Sequence, residues 1–440
     1  MEPIIFHIDV NSAFLSWSAV EKLKTDPDFD LRNIPSIIGG DQKSRHGVVL
    51  AKSIPAKPYG IKTGEPISHA LRKCPNLYIE PSTHTKYEEY SRKLFEFLYT
   101  FTSDIEKLSI DECFMDFTPI AKQYPSYLTA AVKIKSEIKE RFGFTVNIGI
   151  SSNRLLAKMA SDFLKPDNIH TLFPDEIQKK MWPLPVNDLY MVGKASASRL
   201  HSLGVHTIGD LALCNKEFLS SEFKSHGIKM WEYANGIDSA IIISEKAEAK
   251  GIGNSTTLSK DITDEEESFR ILLSLCESVS SRLRKANQLA QNVTVEIKYS
   301  DFSSFSHQMP LFTPTDSTHV IYETSCRLYK ELWNGNPVRL LGVRTSKLIS
   351  SDTPIQMSIF DLPFDHAIDE IYPAPLPGNT KQHSNDSVTA KPSLQKLNRL
   401  DIAVDQIREK YGTQSIVRGT FLTQEKSIDP NKSSNKISDK

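Results

Sequence analysis

Apolar residues recur along this chain in two rhythms, short blocks and helical stripes, and the two alternate. Residues 3–10 (PIIFHIDV) are a short apolar block and predict a buried strand. Residues 11–24 predict a helix with Phe14, Leu15, Trp17 and Leu23 among its apolar positions and Asn11 or Ser12 as its N-cap. Residues 36–40 and 47–52 predict two short strands around a Gly-Gly-Asp turn. A short helix over 66–73 and a strand over 77–80 follow. Over 84–101, Tyr87, Tyr90, Leu94, Phe97, Leu98 and Phe101 fall at helical spacing, a stripe suited to core packing rather than to base stacking. A hairpin over 105–117, a helix over 126–142 and a strand over 144–150 come next. A further helix, capped by Ser151 or Ser152, is ended by Lys165-Pro166, since proline cannot continue it. Arg154 and Lys158, four apart, share a face of that helix. Strands alternating with helices in this order predict a mainly antiparallel sheet covered by helices.

The second half changes texture. Residues 183–213 predict two helices joined by a tight turn, followed by a linker around 237–250. Strands at 255–259, 293–300, 303–309 and 340–347, with helices at 265–287 and 320–333, predict a compact α/β module. Residues 373–393 are rich in Pro, Ser, Thr and Asn and predict a disordered linker. Leu397, Leu400, Ile402, Val404 and Ile407 then mark an amphipathic helix over 394–411, able to dock back or to meet a partner. The last fifteen or so residues predict disorder.

The chain has 440 residues, enough for roughly three or four domains. With 39% hydrophobic and 24% charged residues it has the balance of a soluble globular protein. Its five cysteines (74, 113, 214, 276, 326) are far apart with no Cys-x-x-Cys, which argues against a disulfide framework or zinc site and fits a reducing cytosol. No apolar run approaches a membrane span, and no basic leader precedes an apolar core. Net charge is −1, so the whole-chain balance does not point to nucleic acid. Residues 121–200 nevertheless hold twelve Lys/Arg against seven Asp/Glu, through either a basic surface or solvated helix faces.

Candidate chemistry centres on residues 108–116 (LSIDECFMD), where Asp111 and Glu112 stand side by side in an apolar run. In mid-strand they would point to opposite faces, so they reach one site only at a strand end or tight turn. Taken by itself, the pair reads as a surface Asp-Glu at a hairpin corner. Asp9 alters that reading. If the strand over 3–10 lies beside the hairpin, Asp9, Asp111 and Glu112 form a carboxylate trio. Such a trio suits Mg²⁺, a hard cation that also takes water and phosphate oxygens. A pair of such ions can stabilise both the attacking and leaving oxygens of a phosphoryl displacement. A helix opening just after Asp9 also aims free N–H groups at the same place, as a phosphate site requires.

"HIDVNSAF" at 7–14 and "SIDE" at 109–112 resemble the two acidic motifs of the Y-family DNA polymerases, the translesion class. The resemblance runs to about residue 348. It implies an α+β fold shaped as a right hand: a ferredoxin-like palm (1–22 and 76–165), small fingers (23–75), a helix-hairpin-helix thumb (166–236), and an α/β little finger (250–348) before the 349–440 tail. It implies low-fidelity, template-directed DNA synthesis in damage tolerance. Asp9, Asp111 and Glu112 would be catalytic, and these with the Val10 carbonyl would hold two Mg²⁺. The backbone of Ala13 and Phe14 would hold the triphosphate, and the Phe14 ring would exclude a ribose 2′-hydroxyl, although a core Phe has the same spacing.

The stretch "AKSIPAKPYGIKTGEPI" resembles the fingers segment but departs from its commoner Thr, Tyr and Arg with Ala51, Ile54 and Lys57. Lys57 supplies a point charge without a planar fork, and Ile54 donates no hydrogen bond. "AKMASDFLKPD" carries the triphosphate lysine, here Lys165. In the thumb motif Gly193, Lys194 and Arg199 would meet a DNA phosphate, with Met191 where relatives often have glycine. Arg282, Arg284 and Lys285 would touch the duplex. Gln356, Ile359 and Phe360 resemble a docking peptide for the sliding clamp. The implied partners are primer-template DNA, deoxynucleoside triphosphates and that clamp, for a monomer without membrane contact in the bacterial cytoplasm, near the nucleoid. Two rivals remain: a non-catalytic DNA-binding mutasome scaffold, disfavoured by the presence of all three acids, and a nucleotidyl cyclase, for which the thumb motif has no obvious use.

Overall fold

The computed structural model describes residues 2–40, 47–239, 241–243, 249–354, 394–412 and 414–420. The chain divides into two units, Met1–Ala247 and Glu248–Lys440.

The first unit runs β1 (Ile5–Val10), α1 (Ala13–Thr25), β2 (Ser36–Gly39), β3 (Val49–Lys52), α2 (Ile67–Lys73), β4 (Tyr78–Pro81), α3 (His84–Leu98), β5 (Ile105–Lys107), β6 (Glu112–Asp116), α4 (Tyr127–Phe142), β7 (Val146–Ser151), α5 (Arg154–Asp162) and β8 (Ile169–Thr171). Five helices follow: α6 (Ile177–Lys180), α7 (Lys194–Ser202), α8 (Ile208–Leu213), α9 (Lys216–Phe223) and α10 (Ser225–Ala234). The main sheet has the order β5-β6-β1-β7-β8. β1 is central and antiparallel to both neighbours.

Strand alternation sorts β1 into two faces. Phe6, Ile8 and Val10 enter a core shared with Leu15 and Trp17 of α1, Leu94 and Leu98 of α3, and Ile134 and Ile138 of α4. Each such burial contributes about 1.5–3 kcal/mol. Ile5, His7 and Asp9 face the other way, where Ile5 packs with Phe114 and Ala157 beneath α5. That helix comes unusually close to the sheet. A Cβ on Gly149 would lie 2.0 Å from the Ala157 carbonyl oxygen, so only glycine admits the contact. Leu155, Leu156 and Met159 of α5 enter a second core with α7, α8 and α10.

Several local expectations are corrected. The cap of α5 is Asn153, whose side chain accepts from the Leu156 N–H at 2.9 Å, rather than Ser151 or Ser152. The same helix ends at Asp162, before Lys165-Pro166. Buried Asn147 on β7 donates to the Ser161 and Leu164 carbonyls (3.0 and 2.7 Å), satisfying the helix end early. β4 hydrogen-bonds parallel to β2 in the small sheet β3-β2-β4, beyond the limit expected at residue 75.

At the turn before α7, Met191 sits at φ 72°, a left-handed conformation that disfavours a side chain. Its side chain is exposed, so it gains little packing in return. Met191→Gly is therefore expected to raise stability by about 1 kcal/mol, read from urea unfolding. A loss of stability would contradict the strain.

The second unit runs β9 (Gly251–Ile262), α11 (Glu265–Lys285), β10 (Gln288–Tyr299), β11 (Ser304–Thr315), α12 (Thr318–Leu332), β12 (Val338–Ser350) and α13 (Leu394–Tyr411). The sheet order is β11-β10-β12-β9, antiparallel throughout. Its strands outrun the apolar blocks that predicted them, because flanking residues such as Gln288 and Ser350 still pair through their backbones. α11 and α12 pack on the sheet around Leu272, Cys276, Val279, Ile321 and Leu328.

α13 docks back on this unit through charge. Asp401, only 6% exposed, accepts from the Thr318 N–H at 3.0 Å and so caps α12. Arg284 donates to Asp405 (2.6 Å) and to the Asp316 carbonyl (2.9 Å), and lies 3.4 Å from Asp401. Expected as a phosphate contact, it has its guanidinium largely buried against α13. Among the described residues no helix is long and apolar enough to cross a membrane.

Candidate active site

The carboxylate trio is assembled by strand register. Asp9 on β1 stands directly opposite Glu112 on β6. Asp111 precedes the first residue of β6, and its carbonyl accepts from the Val10 N–H at 3.1 Å. The strand-end condition is thereby met: alternation has not begun at Asp111, so both acids remain near Asp9.

Each carboxylate has a different environment. Lys158 Nζ lies 2.5 Å from Glu112 Oε2 and 3.9 Å from Asp9 Oδ2, so one ammonium serves both. His7, fully buried on the same strand face as Asp9, places Nε2 3.3 Å from Glu112 Oε2. The His7 imidazole, and then Lys158, hold the Glu112 carboxyl down to about 2 against the opposing effect of burial. Lys165 Nζ bonds Asp9 Oδ2 and lies 2.8 Å from Asp162 Oδ1. Burial works against the Lys165 charge, but Asp9 and Asp162 together raise its pKa. Among the described residues the Asp111 side chain bonds only the Ser109 hydroxyl, which donates at 2.5 Å. Burial first, and then the charges of Asp9 and Glu112, push its pKa up despite the Ser109 bond.

Among the described residues no three acidic, histidine or cysteine side chains by themselves enclose a metal ion. Mg²⁺ does not require such a cage. It keeps waters and takes one or two carboxylates together with substrate phosphates. The donor chemistry fits: three carboxylates, one of them destabilised by its like-charged neighbours and lacking a cationic partner close by.

α1 opens beside the trio. Ser12, at φ 48°, offers no side-chain cap, so the first N–H groups of the helix, those of Ala13 and Phe14 among them, have no capping acceptor from it. Asn11, the other cap candidate, instead donates to Asn147 Oδ1 at 3.0 Å and accepts from the Asp167 N–H at 2.8 Å. Phe14 is half-buried and stacks on Tyr87, with ring centres 4.5 Å apart and planes 11° apart.

The remaining candidates stand on other elements. Lys57 is exposed on the turn Lys57–Tyr59. Gly193 caps α7, and Lys194 and Arg199 are exposed on it, Arg199 bonding Glu222 at 2.5 Å. In the second unit Arg282 and Lys285 are exposed at the end of α11, where Arg282 donates to the Gly253 carbonyl at 2.9 Å. Gln356, Ile359 and Phe360 lie outside the described residues. Sequence reasoning gave no role at the trio to His7, Lys158 or Ser161. His7 had a usable signal, two residues before Asp9 and so on its strand face. Lys158 and Ser161 had none, because only the close approach of α5 at Gly149 brings them in.

Comparison with known proteins places the chain in a family. The profile of the impB/mucB/samB family matches residues 8–162, that of its C-terminal domain residues 249–359, and that of the IMS family HHH motif residues 174–205. DNA polymerase IV of Clostridium acetobutylicum is 47% identical over 425 residues, covering 97% of this chain and all of the relative. DNA polymerase IV 1 of Bacillus subtilis (strain 168) is 34% identical over 435 residues, covering 98% of this chain and 96% of the relative. Among solved structures, a Y-family DNA polymerase chimera, Dbh-Dpo4(243-245)-Dbh, superposes with a TM-score of 0.69 at 24% identity over 79% of this chain and 99% of its own. This chain belongs to the impB/mucB/samB family, the Y-family DNA polymerases.

Proposed function

We propose that this DNA-directed DNA polymerase is a Mg²⁺-dependent, low-fidelity enzyme that copies DNA past damage. The observation that carries the reading is the pairing of Asp9 with Glu112 across adjacent strands, with Asp111 at the strand mouth. In the reaction the primer 3′-hydroxyl forms a bond to the α-phosphorus of the incoming nucleotide, the bond to pyrophosphate breaks, and the hydroxyl proton is lost. Asp9, Asp111, Glu112 and the Val10 carbonyl would hold two Mg²⁺, which when bound supply positive charge to the reacting phosphate and the attacking oxygen. Lys165, paired with Asp9, has a phosphate as its alternative partner once a triphosphate arrives. The N–H groups of Ala13 and Phe14 and the Lys57 ammonium bind other phosphate oxygens. Most of the barrier lowering then comes from positioning and electrostatics, so no single residue need accept the proton.

Palm, thumb and little finger otherwise keep the ranges given above, while β4 (Tyr78–Pro81), paired with β2, extends the fingers to about residue 81. In the thumb, a Cβ on Gly193 would meet nothing within 4 Å, so packing does not demand glycine there; close approach of a DNA phosphate does. Lys194 and Arg199, with Arg282 and Lys285, add backbone charge without sequence choice. The enzyme acts as a monomer in the bacterial cytoplasm beside the nucleoid.

The test is primer extension with Mg²⁺ on undamaged and damaged templates. Extension across a lesion, with frequent misinsertion on undamaged DNA, is expected. No incorporation on any template would favour the scaffold, and a cyclic product from ATP or GTP alone would favour the cyclase. A sliding clamp is the proposed partner of Gln356, Ile359 and Phe360. Replacing Ile359 and Phe360 with Ala is expected to lower clamp affinity at least tenfold, the loss that follows from removing two buried anchors of about 1 kcal/mol or more each. Unchanged affinity would remove the clamp from the account.

A further inference from the structure

Beneath the trio lies a buried polar pair that the proposed chemistry does not use. His7 is 0% exposed, enclosed by Phe114 at 4.9 Å between ring centres and by α5. Its Nδ1 lies 2.8 Å from Ser161 Oγ, which in turn lies 2.8 Å from the Lys158 carbonyl. Its Nε2 has no well-aligned hydrogen bond but points toward Glu112 Oε2 at 3.3 Å. A buried nitrogen is not left in that state without cost.

We propose that His7 is a positioning residue for Glu112, holding the carboxylate from behind with an Nε2–H while Ser161 fixes the ring by donating its hydroxyl to Nδ1. This rests on the reading of Glu112 as a metal-binding carboxylate.

The assignment follows from counting protons. A neutral imidazole has one N–H. With that proton on Nδ1, Nε2 would turn a lone pair toward a carboxylate. With it on Nε2, the ring donates to Glu112 and accepts from Ser161, and both nitrogens are satisfied. In the structure the Ser161 hydroxyl donates to the Lys158 carbonyl at 2.8 Å; that carbonyl also has a backbone donor from the helix ladder of α5, so turning the hydroxyl to Nδ1 leaves it satisfied. Ligand carboxylates are commonly held by such an outer partner. Here the partner reaches the site because α5 lies against Gly149, opposite His7 in the sheet.

Glutamine carries an amide nitrogen to about the place of Nε2, and asparagine to about that of Nδ1. Two readouts are used on the full chain with primer-template DNA and a non-reactive triphosphate: Mn²⁺ affinity by electron paramagnetic resonance, and separately kcat and nucleotide KM with Mg²⁺ and a reactive one. His7→Asn is expected to weaken Mn²⁺ and lower kcat roughly 10–100-fold, with KM nearly unchanged. His7→Gln is expected to restore both to within about threefold of wild type, since the donor is returned. In the wild-type chain, ¹⁵N resonances of His7 are expected to show the neutral Nε2–H tautomer, a measurement independent of any variant's folding.

An Nδ1–H tautomer would overturn the proposal. So would a His7→Asn variant that matches wild type, or a His7→Gln variant as impaired as His7→Asn, since the ring would then act by packing alone. Glu112→Gln separates the layers. If it leaves Mn²⁺ affinity intact, the site reading itself fails. If it weakens Mn²⁺ and His7→Asn does not, only the role of His7 fails.

Discussion

Replacing Asp111 with Asn is expected to reduce primer extension roughly 10³-fold while leaving the protein as stable as before, or more so. Asp111 sits outside the apolar cores, and among the described residues its side chain bonds only Ser109. Burial and the charges of Asp9 and Glu112 raise its pKa, so its ionised form is less favourable folded than unfolded. The sign follows: at neutral pH the carboxylate costs stability, and the isosteric amide removes that cost. The same substitution removes a hard anionic oxygen from the one carboxylate of the trio that has no close cationic partner among the described residues. Losing a metal-binding group outright should exceed the roughly 10–100-fold effect of losing a partner behind one. Single-turnover extension with saturating Mg²⁺ and a thermal melt together check this. Activity within tenfold of wild type, or a lower melting temperature, would place Asp111 among ordinary surface acids.

Phe14→Ala is expected to lower discrimination against ribonucleotides roughly 10–100-fold, the equivalent of relieving about 1–3 kcal/mol of steric overlap. The ring cannot sink to admit a 2′-hydroxyl, because the stacked Tyr87 ring below it is 1% exposed and its hydroxyl lies 2.9 Å from Ser18 Oγ. His84 presses on the side of Phe14 at 5.9 Å between ring centres. Truncation also removes this half-buried packing, at a cost of about 2 kcal/mol, so discrimination must be read as a ratio of kcat/KM values for the two sugars. An unchanged ratio would make Phe14 a packing residue and no more.

Much of the architecture was legible from spacing. The helix over 394–411 was bounded to the residue, because its apolar positions recur cleanly between a Pro- and Ser-rich stretch and a glycine. β1, α4 and α11 fell within two residues of the expected limits. The failures have a common physical origin. Asn153 displaced the expected serine caps, and Asn147 ended α5 from a neighbouring strand, a contact no local pattern encodes. The thumb helices α9 and α10 went unread because their buried positions are few and irregular, Leu219 in one and Gly227, Met230 and Ala234 in the other. Arg284 looked like any cation at a helix end until Asp401 and Asp405 of α13 enclosed it.

What the sequence determined by itself was the chemical inventory: three acids at strand ends, a helix opening after the first, and a lysine before a proline. Side-chain type and short-range periodicity are local properties, so they survive without coordinates. What the tertiary structure alone decided was who stands beside whom. Antiparallel register set Asp9 against Glu112. A missing Cβ at Gly149 let α5 come close enough to bring Lys158 and Ser161 to the trio. The first joins residues more than a hundred positions apart along the chain, the second folds α5 back on the strand before it, and electrostatic environment depends on distance through space, not on distance along the polymer.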